Sequence, residues 1–434
     1  MKKHLLALSA AAVLLAPNAV GAEGFSINEW SAEGFAMGGA RMFAENDAAN
    51  MAYNPASLTK IKGEVAKISA TYISPHGKYK TYDATGTGFG DETGHNRVHP
   101  AWAPGMYYAK QLNENEYIGF GSYARFGNSC QFVPGSMPGY NNTSSKVNGM
   151  SIGMNYAKKL DSKWSASLGA EVNYAWLQID KTVPDGAKTF VPGVGIVDVT
   201  GKMQTEGESY ALGWNAAVNY AFDDKNEMGV VYRSAVNHSM EANVRAEGAF
   251  ANKLGNPTDA YGCVTLPESV MIGYGHKFND KTRVELNGTW TRWSRFNALD
   301  MTFSGSHGSH VHEDPKNWKD GWRYAIGVEH KLSDKYSLLG GIAYDESGIP
   351  DYEFDKDETL GADFMVPTGT RTTFTIGGQY HDEKQTVALT IGYMKVGDLS
   401  IEGDGGPEAD TFYTHAKMYD SYTKLVSISY QYHF

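Results

Sequence analysis

Long apolar runs are almost absent from this sequence of 434 residues. The one pronounced run, Leu5–Ala16, follows a short positive head and ends just before the small residues at 20–22, a pattern typical of a cleaved signal. We therefore expect residues 1–22 to be a secretory signal peptide and the mature chain to begin at Glu23; a buried N-terminal helix is the alternative. No other stretch approaches the roughly 18 apolar residues that a membrane helix needs, so an exported protein of this kind is either soluble or a β-barrel.

The sequence also has no excess of positive charge and only two cysteines. The formal net charge is −11, and it becomes −13 in the mature chain because residues 1–22 carry Lys2 and Lys3 and no acid. This balance gives no basic patch that would favour nucleic acid. The two cysteines, Cys130 and Cys263, form no metal motif. In an oxidising compartment they could pair across two loops, or they could remain two thiols.

Alternation of apolar and polar residues dominates the chain from about residue 63 onward. In Tyr210–Phe222, the large apolar side chains fall on one face, and Ala, Gly and Asn fall on the other. Trp164–Trp176 and Trp322–Leu332 repeat the pattern, and aromatic residues often stand near the ends of such segments. This period of two is typical of strands with one face in lipid and one in a lumen. The closing Lys424–Phe434 segment also alternates, and its terminal Phe resembles the signal that outer-membrane barrels present to their assembly machinery.

The connections between these segments alternate strictly between short polar turns and long loops. Six short turns and seven long loops join fourteen segments, so both ends of the series lie on one side. A soluble β-sandwich also alternates, but its loops would not segregate by length. The sequence predicts an all-β fold: a 14-stranded antiparallel transmembrane β-barrel over 63–434. The expected strands are 63–75, 98–110, 116–126, 147–158, 163–180, 204–222, 227–244, 264–278, 282–296, 320–332, 335–346, 370–381, 385–397 and 421–434.

Residues 23–62 do not fit this strand pattern. They are rich in Ala and Gly, but they carry scattered apolar anchors that a disordered leader would lack. A fourteen-stranded barrel is too wide for its own side chains to fill. We therefore expect residues 23–62 to be a hatch, a compact plug inside the lumen. The turn Asn54-Pro55-Ala56 near its end is stiff, because Pro fixes φ and disfavours helix at the residue before it.

Several segments resemble the FadL/TodX family of outer-membrane transporters for hydrophobic compounds. The resemblance begins with GFSINEWSAEGFAMGGA at 24–40 and NDAANMAYNPASL at 46–58. It continues through WAPGMYYAKQLNENEYIGFGSYARFG at 102–127, LPESVMIGYG at 266–275 and WTRWSRF at 290–296. WKDGWRYAIGVEHKLSDKYSLLGGIAYDESGIP at 318–350 and RTTFTIGGQY at 371–380 complete it. It covers nearly the whole mature chain in order, and it departs in the long loops.

The resemblance implies a lateral route for the ligand. It assigns Asn54, Pro55 and Ala56 to the hatch, although an ordinary strand-entry turn is the alternative. It also implies an inward kink in the third strand that leaves a gap in the wall beside the hatch. Glycine often marks such a bend. The candidates are Gly119, Gly121 and Gly127, unless these glycines simply face a crowded lumen.

The ligands implied are amphipathic or apolar molecules, such as long-chain fatty acids or aromatic hydrocarbons. Apolar residues of the outer loops would capture them, Phe25 and Ile27 of the hatch would line a pocket, and Arg125 or Arg233 would meet a carboxylate unless lumen acids already pair with both. Burial contributes roughly 0.8 kcal/mol per methylene, so an acyl tail needs no polar contact. The loop candidates are Phe132, Val133, Met137, Tyr140, Phe250 and Leu254.

The remaining motifs point to weaker hypotheses. Gly149–Gly153 matches a nucleophile elbow around Ser151 but lies inside a predicted strand, so we expect no enzyme. His307, His310, His312, Glu313 and Asp314 form a cluster that could hold a metal or be a solvated loop. We predict no cofactor and no metal, a Gram-negative outer-membrane location, and a monomer surrounded by outer-membrane lipid. The rival functions are a plugged barrel acting as a surface adhesin or receptor, and a hydrophilic porin.

Overall fold

The computed structural model describes residues 24–83, 92–191, 195–247, 251, 255, 258–350, 362–402 and 413–434. The predicted signal peptide lies outside these residues. Among the described residues, no helix is both long enough and apolar enough to cross a membrane.

Strands dominate the described chain, and fourteen of them build a closed antiparallel barrel. Two of these, β7 and β8, are each made of two pieces. The strands are β1 Glu64–Asp83, β2 Ala101–Gln111, β3 Glu116–Gln131, β4 Ser144–Lys159, β5 Trp164–Val191, β6 Gly195–Ala221, β7 Asn226–Arg233 with Val236–Ala246, β8 Thr258–Leu266 with Ser269–Lys277, β9 Thr282–Thr291, β10 Gly321–Lys331, β11 Tyr336–Asp345, β12 Arg371–His381, β13 Gln385–Val396 and β14 Tyr413–His433.

Closure comes from pairing of the first and last strands. Residues of β1 pair with β14 from Val65–His433 onward and with β2 from Glu64–Lys110 onward. Each other strand pairs with its neighbours in sequence, so the predicted 14-stranded antiparallel barrel is confirmed.

The two faces of each strand differ as the alternation predicted. On β6, Leu212 and Trp214 are exposed on the outer face, whereas Asn215 and Ala217 are buried on the inner face. Aromatic pairs stand at both ends of the apolar stretch: Trp164 with Tyr220 at the short-turn end, 4.6 Å between ring centroids, and Tyr174 with Tyr210 at the long-loop end, 5.0 Å. This arrangement is an apolar band between two aromatic girdles.

The predicted strand ends hold best beside the short turns. The prediction 385–397 corresponds to Gln385–Val396, but 63–75 extends to Asp83, and 163–180 extends to Val191. The prediction of one continuous strand over 227–244 is wrong, because β7 breaks at Ser234 and Ala235. The predicted loop 297–319 contains a short hairpin, Met301–Gly305 with Gly308–His312, and two further short strands, Glu92–His95 and Leu399–Glu402, lie outside the fourteen.

Besides the break between the two pieces of β7 and β8 and several local bulges, the pairing of wall strands is interrupted at two places among the described residues. Pairing of β2 with β3 ends at Gly105–Tyr123, and β3 bulges between Ala124 and Phe126. Pairing of β6 with β7 stops at Glu208–Glu241 and resumes at Asn215–Arg233. Both interruptions lie toward the long-loop end of the barrel.

Residues 24–60 lie inside the barrel and contact inward side chains around the ring. Ala32 N donates to Ser429 Oγ of β14 at 2.7 Å, Met42 N donates to Glu285 Oε2 of β9 at 2.6 Å, and Asn54 Nδ2 donates to Asn219 Oδ1 of β6 at 2.7 Å. Short helices give the segment its shape: α1 Ala32–Ala36, α2 Asn50–Tyr53 and a 3₁₀ helix Pro55–Lys60. Two others lie in loops: α3 Met137–Asn141 and a 3₁₀ turn Trp293–Arg295.

Local sequence explains the hatch helices. Ser31 caps α1, since its Oγ accepts from Gly34 N at 3.1 Å. Asn54 is extended and its Oδ1 accepts from Ala56 N at 3.1 Å, while Pro55 occupies the first position of the 3₁₀ helix. The Asn-Pro-Ala turn thus starts the last helix before β1.

Candidate functional site

An apolar cavity of about 60 Å³ lies inside the barrel, above the hatch on its long-loop side. Strands β3, β4, β5, β7 and β8 and the loops before β10 and β12 form its walls. Its lining is nearly all hydrocarbon, and it includes Phe25, Phe126, Leu177, Met240, Phe296 and Trp318. We call this cavity the slot. Its volume is only several times the roughly 10–15 Å³ that one water needs.

Phe25 of the hatch fills the side of this slot. Its ring centroid lies 4.9 Å from that of Trp293, 5.4 Å from Phe296, and 5.9 Å from both Phe126 and Trp318. All four contacts are edge-to-face, the arrangement that aromatic quadrupoles favour. The free end of the hatch is therefore held by aromatic packing.

The same end of the hatch also completes the wall where β2 leaves β3. Ile27 N donates to Arg125 O at 2.8 Å, and Gly127 N donates to Phe25 O at 2.8 Å, so Ser26 and Phe126 form an antiparallel bridge. Trp30 Nε1 donates to Ala124 O at 2.7 Å. We call residues 24–30 the leading segment. It occupies backbone groups of β3 that a neighbouring strand would otherwise satisfy.

Residues 31–60, which we call the anchored segment, are held by charge. Lys67 Nζ of β1 is buried between Glu33 Oε1 at 3.0 Å and Asp47 Oδ1 at 2.5 Å. Arg41 joins Asp47 to Glu329 of β10, each at 3.3 Å. Burial raises the pKa of Asp47, but Lys67 and Arg41 outweigh burial and hold that pKa at about 2. The carboxylate is therefore ionised throughout the neutral range.

Arg125 and Arg233, the predicted head-group ligands, are both buried against Glu171 of β5. Arg125 Nη1 contacts Glu171 Oε1, and Arg233 Nη1 lies 3.9 Å from Glu171 Oε2. Arg233 also donates to Tyr123 Oη at 2.8 Å and to backbone carbonyls of the hatch at Met51 and Ala52. Both arginines therefore pair with a lumen acid, which is the alternative that the sequence left open.

The predicted apolar loop residues divide into three groups. Phe132 and Met137 are buried in the same apolar cluster as Phe25, and Phe132 packs on Phe364 at 5.0 Å between ring centroids. Val133 is exposed, and Tyr140 is half-buried. Phe250 and Leu254 lie outside the described residues. One continuous apolar cluster thus links the second outer loop to the tip of the hatch.

Ile27 does not share the apolar cavity with Phe25. It packs with Phe35, Ile73 and Ala124, and it borders a smaller, more polar space beside Arg125. Alternate residues such as 25 and 27 share a face only where the backbone is fully extended. Here the two side chains lie in different clusters.

The predicted kink glycines occupy different positions along β3. Gly119 and Gly121 lie in its regularly paired half, opposite Ala109 and Tyr107. A Cβ at Gly119 would stand 2.5 Å from Met51 Sδ of the hatch, so this glycine makes room for the hatch. Gly127 lies just beyond the bulge and donates its N–H to the leading segment.

The sequence analysis did not pick out three aromatic residues that contact Phe25, two of which, Phe296 and Trp318, line the cavity. Trp293, Phe296 and Trp318 stand just beyond the ends of β9 and β10, which pair Trp290 with Trp322. That register is the signal that could have brought them together. Lys316 was also missed: its Nζ lies 2.8 Å from Asp314 Oδ2 and contacts Asp363. Burial lowers the pKa of Lys316, but the two carboxylates outweigh burial and raise it, so this cation is charged and already paired.

A second, polar cavity of about 430 Å³ opens at the short-turn end. It lies between the anchored segment and the turns, where Arg41, Glu45, Lys277 and Arg283 face it. The two ends of the lumen therefore offer opposite environments: hydrocarbon above the hatch and charge below it.

A sequence profile of the family described as outer membrane protein transport protein (OMPP1/FadL/TodX) matches residues 13–434. The chain belongs to this family. A Shigella flexneri protein named long-chain fatty acid transport protein is 25% identical, covering 92% of this chain and 93% of the relative. Outer membrane protein P1 of Haemophilus influenzae is 25% identical and covers 91% of each chain.

Solved structures share the fold of this OMPP1/FadL/TodX protein. A Pseudomonas aeruginosa FadL homologue superimposes with a TM-score of 0.80 at 17% identity, covering 94% of this chain and 99% of the other. The Pseudomonas putida toluene transporter TodX gives 0.68 at 17% identity, with the same coverage. This OMPP1/FadL/TodX protein is thus an outer-membrane transport protein, and its short turns face the periplasm.

The other candidate sites of this OMPP1/FadL/TodX chain do not assemble. Cys130 is buried and Cys263 is exposed, and both are free thiols. Over the described residues, which include the whole His307–Asp314 stretch, no three His, Cys, Asp or Glu side chains come together in a metal-binding arrangement. Ser151 is buried in β4, where its Oγ accepts from Asn173 Nδ2 at 2.8 Å.

Proposed function

We propose that this protein carries hydrophobic molecules, with long-chain fatty acids as the leading class, passively across the outer membrane by a lateral route. The ligand is captured by the apolar cluster of the outer loops and enters the slot beside Phe25. It displaces the leading segment and leaves through the wall between β2 and β3. The observation that carries this proposal is the β2-facing edge of β3 at Arg125–Gly127, which is paired with the leading segment and not with β2.

An apolar ligand could move the leading segment by replacing the apolar contacts of Phe25 with its own. The volume of the slot is too small for a long acyl chain while the Phe25 ring packs against its aromatic neighbours. A hydrocarbon tail gains roughly 0.8 kcal/mol per buried methylene and can replace the contacts of one ring. Because the ligand would bind the displaced state and not the packed one, it shifts the equilibrium toward displacement.

The alternative axial route crosses the anchored segment. There a ligand would have to pass the ion pairs of Lys67, Asp47 and Arg41 and then a charged vestibule. Separating buried ion pairs costs several kcal/mol for each charge left without a partner. A lateral exit avoids this charge entirely and delivers the ligand into hydrocarbon.

The fatty-acid class is supported by the name of the Shigella relative, whereas the TodX structure belongs to a toluene transporter. The cavity itself, lined by hydrocarbon with one paired cation, Lys316, at its edge, accepts both kinds of molecule. We infer further that the protein works as a monomer, and that the outward, exposed Phe434 at its C-terminus presents the last strand to the assembly machinery. No step of this route calls for catalysis.

A disulfide across the Ser26–Phe126 bridge tests the proposal. The pair is of the narrow, non-hydrogen-bonded kind, with Cα atoms about 4.5 Å apart, which suits a disulfide. In a Cys130→Ser, Cys263→Ser background, oxidised Ser26→Cys/Phe126→Cys should reduce uptake of a labelled long-chain fatty acid by whole cells to that of cells without the protein.

Reduction with dithiothreitol should then restore uptake, and the Ser26→Cys single variant should be insensitive to redox state. The reduced double variant is the reference, because Phe126 itself lines the slot. Undiminished uptake in the oxidised double variant would rule out the lateral route that depends on the leading segment. Labelled toluene in the same cells separates the two ligand classes.

A further inference from the structure

Five lysines cluster on the outward face of β1, β13 and β14, toward the long-loop end. Strand register brings them together: Lys80 of β1 stands opposite Lys417 of β14, and Lys395 of β13 stands opposite Tyr422, two residues from Lys424. Asp420 pairs with Lys78 and Asp398 pairs with Lys417, each at 2.9 Å. We call Lys78, Lys80, Lys395, Lys417 and Lys424 the basic patch. It gathers five cations on one part of a chain of net charge −11.

Flat rings lie among these lysines. His76 stacks on Tyr422 with ring centroids 4.8 Å apart and planes 9° apart, and Tyr82 stacks on His415 at 4.0 Å. Lys424 Nζ lies 5.7 Å from the centroid of Tyr422, and Lys80 Nζ lies 4.5 Å from that of Tyr82. Such stacks hold aromatic faces and ammonium groups in a fixed array.

The height of the basic patch on the barrel wall determines which part of the membrane it contacts. Tyr422 and Tyr432 share the outward face of β14, and the ten residue steps from one to the other, at about 3.3 Å each and a tilt of about 45°, span about 23 Å. This is close to the full apolar band of an outer-membrane barrel, which is about 25 Å. Since Tyr432 lies at the periplasmic girdle, Tyr422 and the lysines lie at the head groups of the outer leaflet.

The opposite sector of the barrel has the reverse charge at that height. On β6, directly above the girdle residue Tyr210, the outward side chains include Glu208 and Glu206. They accept from Tyr174 Oη at 2.8 Å and from Trp176 Nε1 at 3.1 Å. At this height β6 thus presents carboxylates held by two aromatic residues, where β1, β13 and β14 present ammonium groups.

We propose that the basic patch is a binding site for the phosphorylated glycolipid of the outer leaflet. Lys78, Lys395 and Lys424 would pair with its phosphates, and the exposed His76–Tyr422 stack would lie against its sugar rings. Ammonium groups bind phosphate as strong charge-assisted donors. The inference rests on the outer-membrane location and not on the lateral route, so it stands or falls separately from the proposed function.

Removal of three of these charges tests the site. The variant Lys78→Gln/Lys395→Gln/Lys424→Gln and the control Lys163→Gln/Lys335→Gln/Lys384→Gln lose the same charge, and the control lysines lie in or beside periplasmic turns. Each detergent-purified protein is titrated with purified lipopolysaccharide, with its enzymatically dephosphorylated form and with phosphatidylglycerol, and binding is followed by native mass spectrometry. All six side chains are exposed on the surface of the protein, and folding is checked by heat-modifiable migration.

We expect the patch variant to bind lipopolysaccharide at least tenfold more weakly than the wild type, and the control to bind it equally well. Dephosphorylated glycolipid should bind all three proteins weakly. The proposal is overturned if the patch variant binds lipopolysaccharide like the wild type, or if the control loses as much. It is also overturned if phosphatidylglycerol binds the wild type as tightly as the glycolipid does, because the patch would then be a general anion surface.

Discussion

The two parts of the hatch are held in the lumen by different forces. The anchored segment is tied to the wall by buried ion pairs and by polar contacts such as Asn54 to Asn219. The leading segment relies on the aromatic contacts of Phe25 and on hydrogen bonds of its backbone to β3 and to wall side chains such as Ser69 and Thr71. Apolar contacts can be replaced by an apolar ligand, whereas buried charges cannot. The division therefore lets one end of the plug respond to a greasy molecule while the rest stays fixed.

Lys67→Met should have the largest effect, because it leaves Glu33 and Asp47 facing each other without their shared cation. Breaking a buried ion pair in this way costs about 3–5 kcal/mol. We expect a lower unfolding temperature and a higher single-channel conductance as the anchored segment loosens.

The matched control is Lys110→Met. Lys110 is 45% exposed and pairs with Glu64 at 2.9 Å on the barrel surface. Exposed pairs contribute about 0–1 kcal/mol, so this variant should behave like the wild type. Similar behaviour of the two variants would contradict an anchored segment held by charge.

Phe25→Ala should act locally. Removing a buried aromatic side chain costs about 3–5 kcal/mol, but here the loss falls on the leading segment alone. We expect much faster hydrogen exchange at Gly127 N–H, with little change in the unfolding temperature. Phe43→Ala, in the anchored segment and packed with Met42 and Ala217 away from the leading segment, is the counterpart. It should leave exchange at Gly127 unchanged, and acceleration there would show that the two segments move together.

Tyr53→Phe should have a smaller effect, because the Tyr53 hydroxyl joins the two segments. It donates to Asn28 O at 3.2 Å and accepts from Ser31 N at 3.3 Å. Losing this link costs about 1 kcal/mol. We expect roughly fivefold faster exchange at Ile27 N–H. An unchanged rate would mean that the leading segment is independent of this joint.

The smallest effect concerns pH. Burial raises the pKa of Glu29 in the leading segment, and Asp345 adds to the rise while Arg323 opposes it. A carboxyl whose pKa is raised in the folded state destabilises that state at high pH and less so as pH falls through that pKa. Exchange at Ile27 should therefore slow by a few-fold between pH 7.5 and pH 5, after correction for intrinsic rates.

Two comparisons sharpen the pH prediction. Glu29→Gln should abolish the dependence. The contribution of Asp47, whose pKa is lowered to about 2, is present above its unfolded pKa near 4 and is lost only as pH falls toward 2. The anchored segment should therefore show no change between pH 7.5 and pH 5. Faster exchange at Ile27 on acidification would contradict the assignment to Glu29.

The sequence predicted the barrel well because lipid imposes a visible pattern. Along Tyr210–Phe222, one face must be apolar, so the period of two is strong. Beyond the girdle this requirement ends, which explains why the long hairpin of β5 and β6 continues unforeseen to Val191 and Gly195. The break at Ser234 lies where the pairing of β7 with β6 lapses between Asn215–Arg233 and Glu208–Glu241, a tertiary event with no local sequence sign.

A residue of the site could be predicted from the sequence only where the direction of the chain fixed its position. Phe25 was found because it is apolar and near the free end of a segment that enters from below. Trp293 and Trp318 were missed because they lie far apart in sequence and meet only through the pairing of β9 with β10. Arg125 looked like a ligand group until Glu171 was seen beside it, since no pattern links positions on different strands.

Pairing of β1 with β14 has a consequence for the order of assembly. The cylinder cannot shut until the final residues have been made, whereas the hatch is among the first residues to emerge. A shut ring of hydrogen-bonded strands would offer a folded plug no way in from the side. The hatch must therefore be enclosed while the seam is still open, and a chain cut before Tyr413 would be left with two unsatisfied edges and without hatch contacts such as that of Ala32 N to Ser429 Oγ.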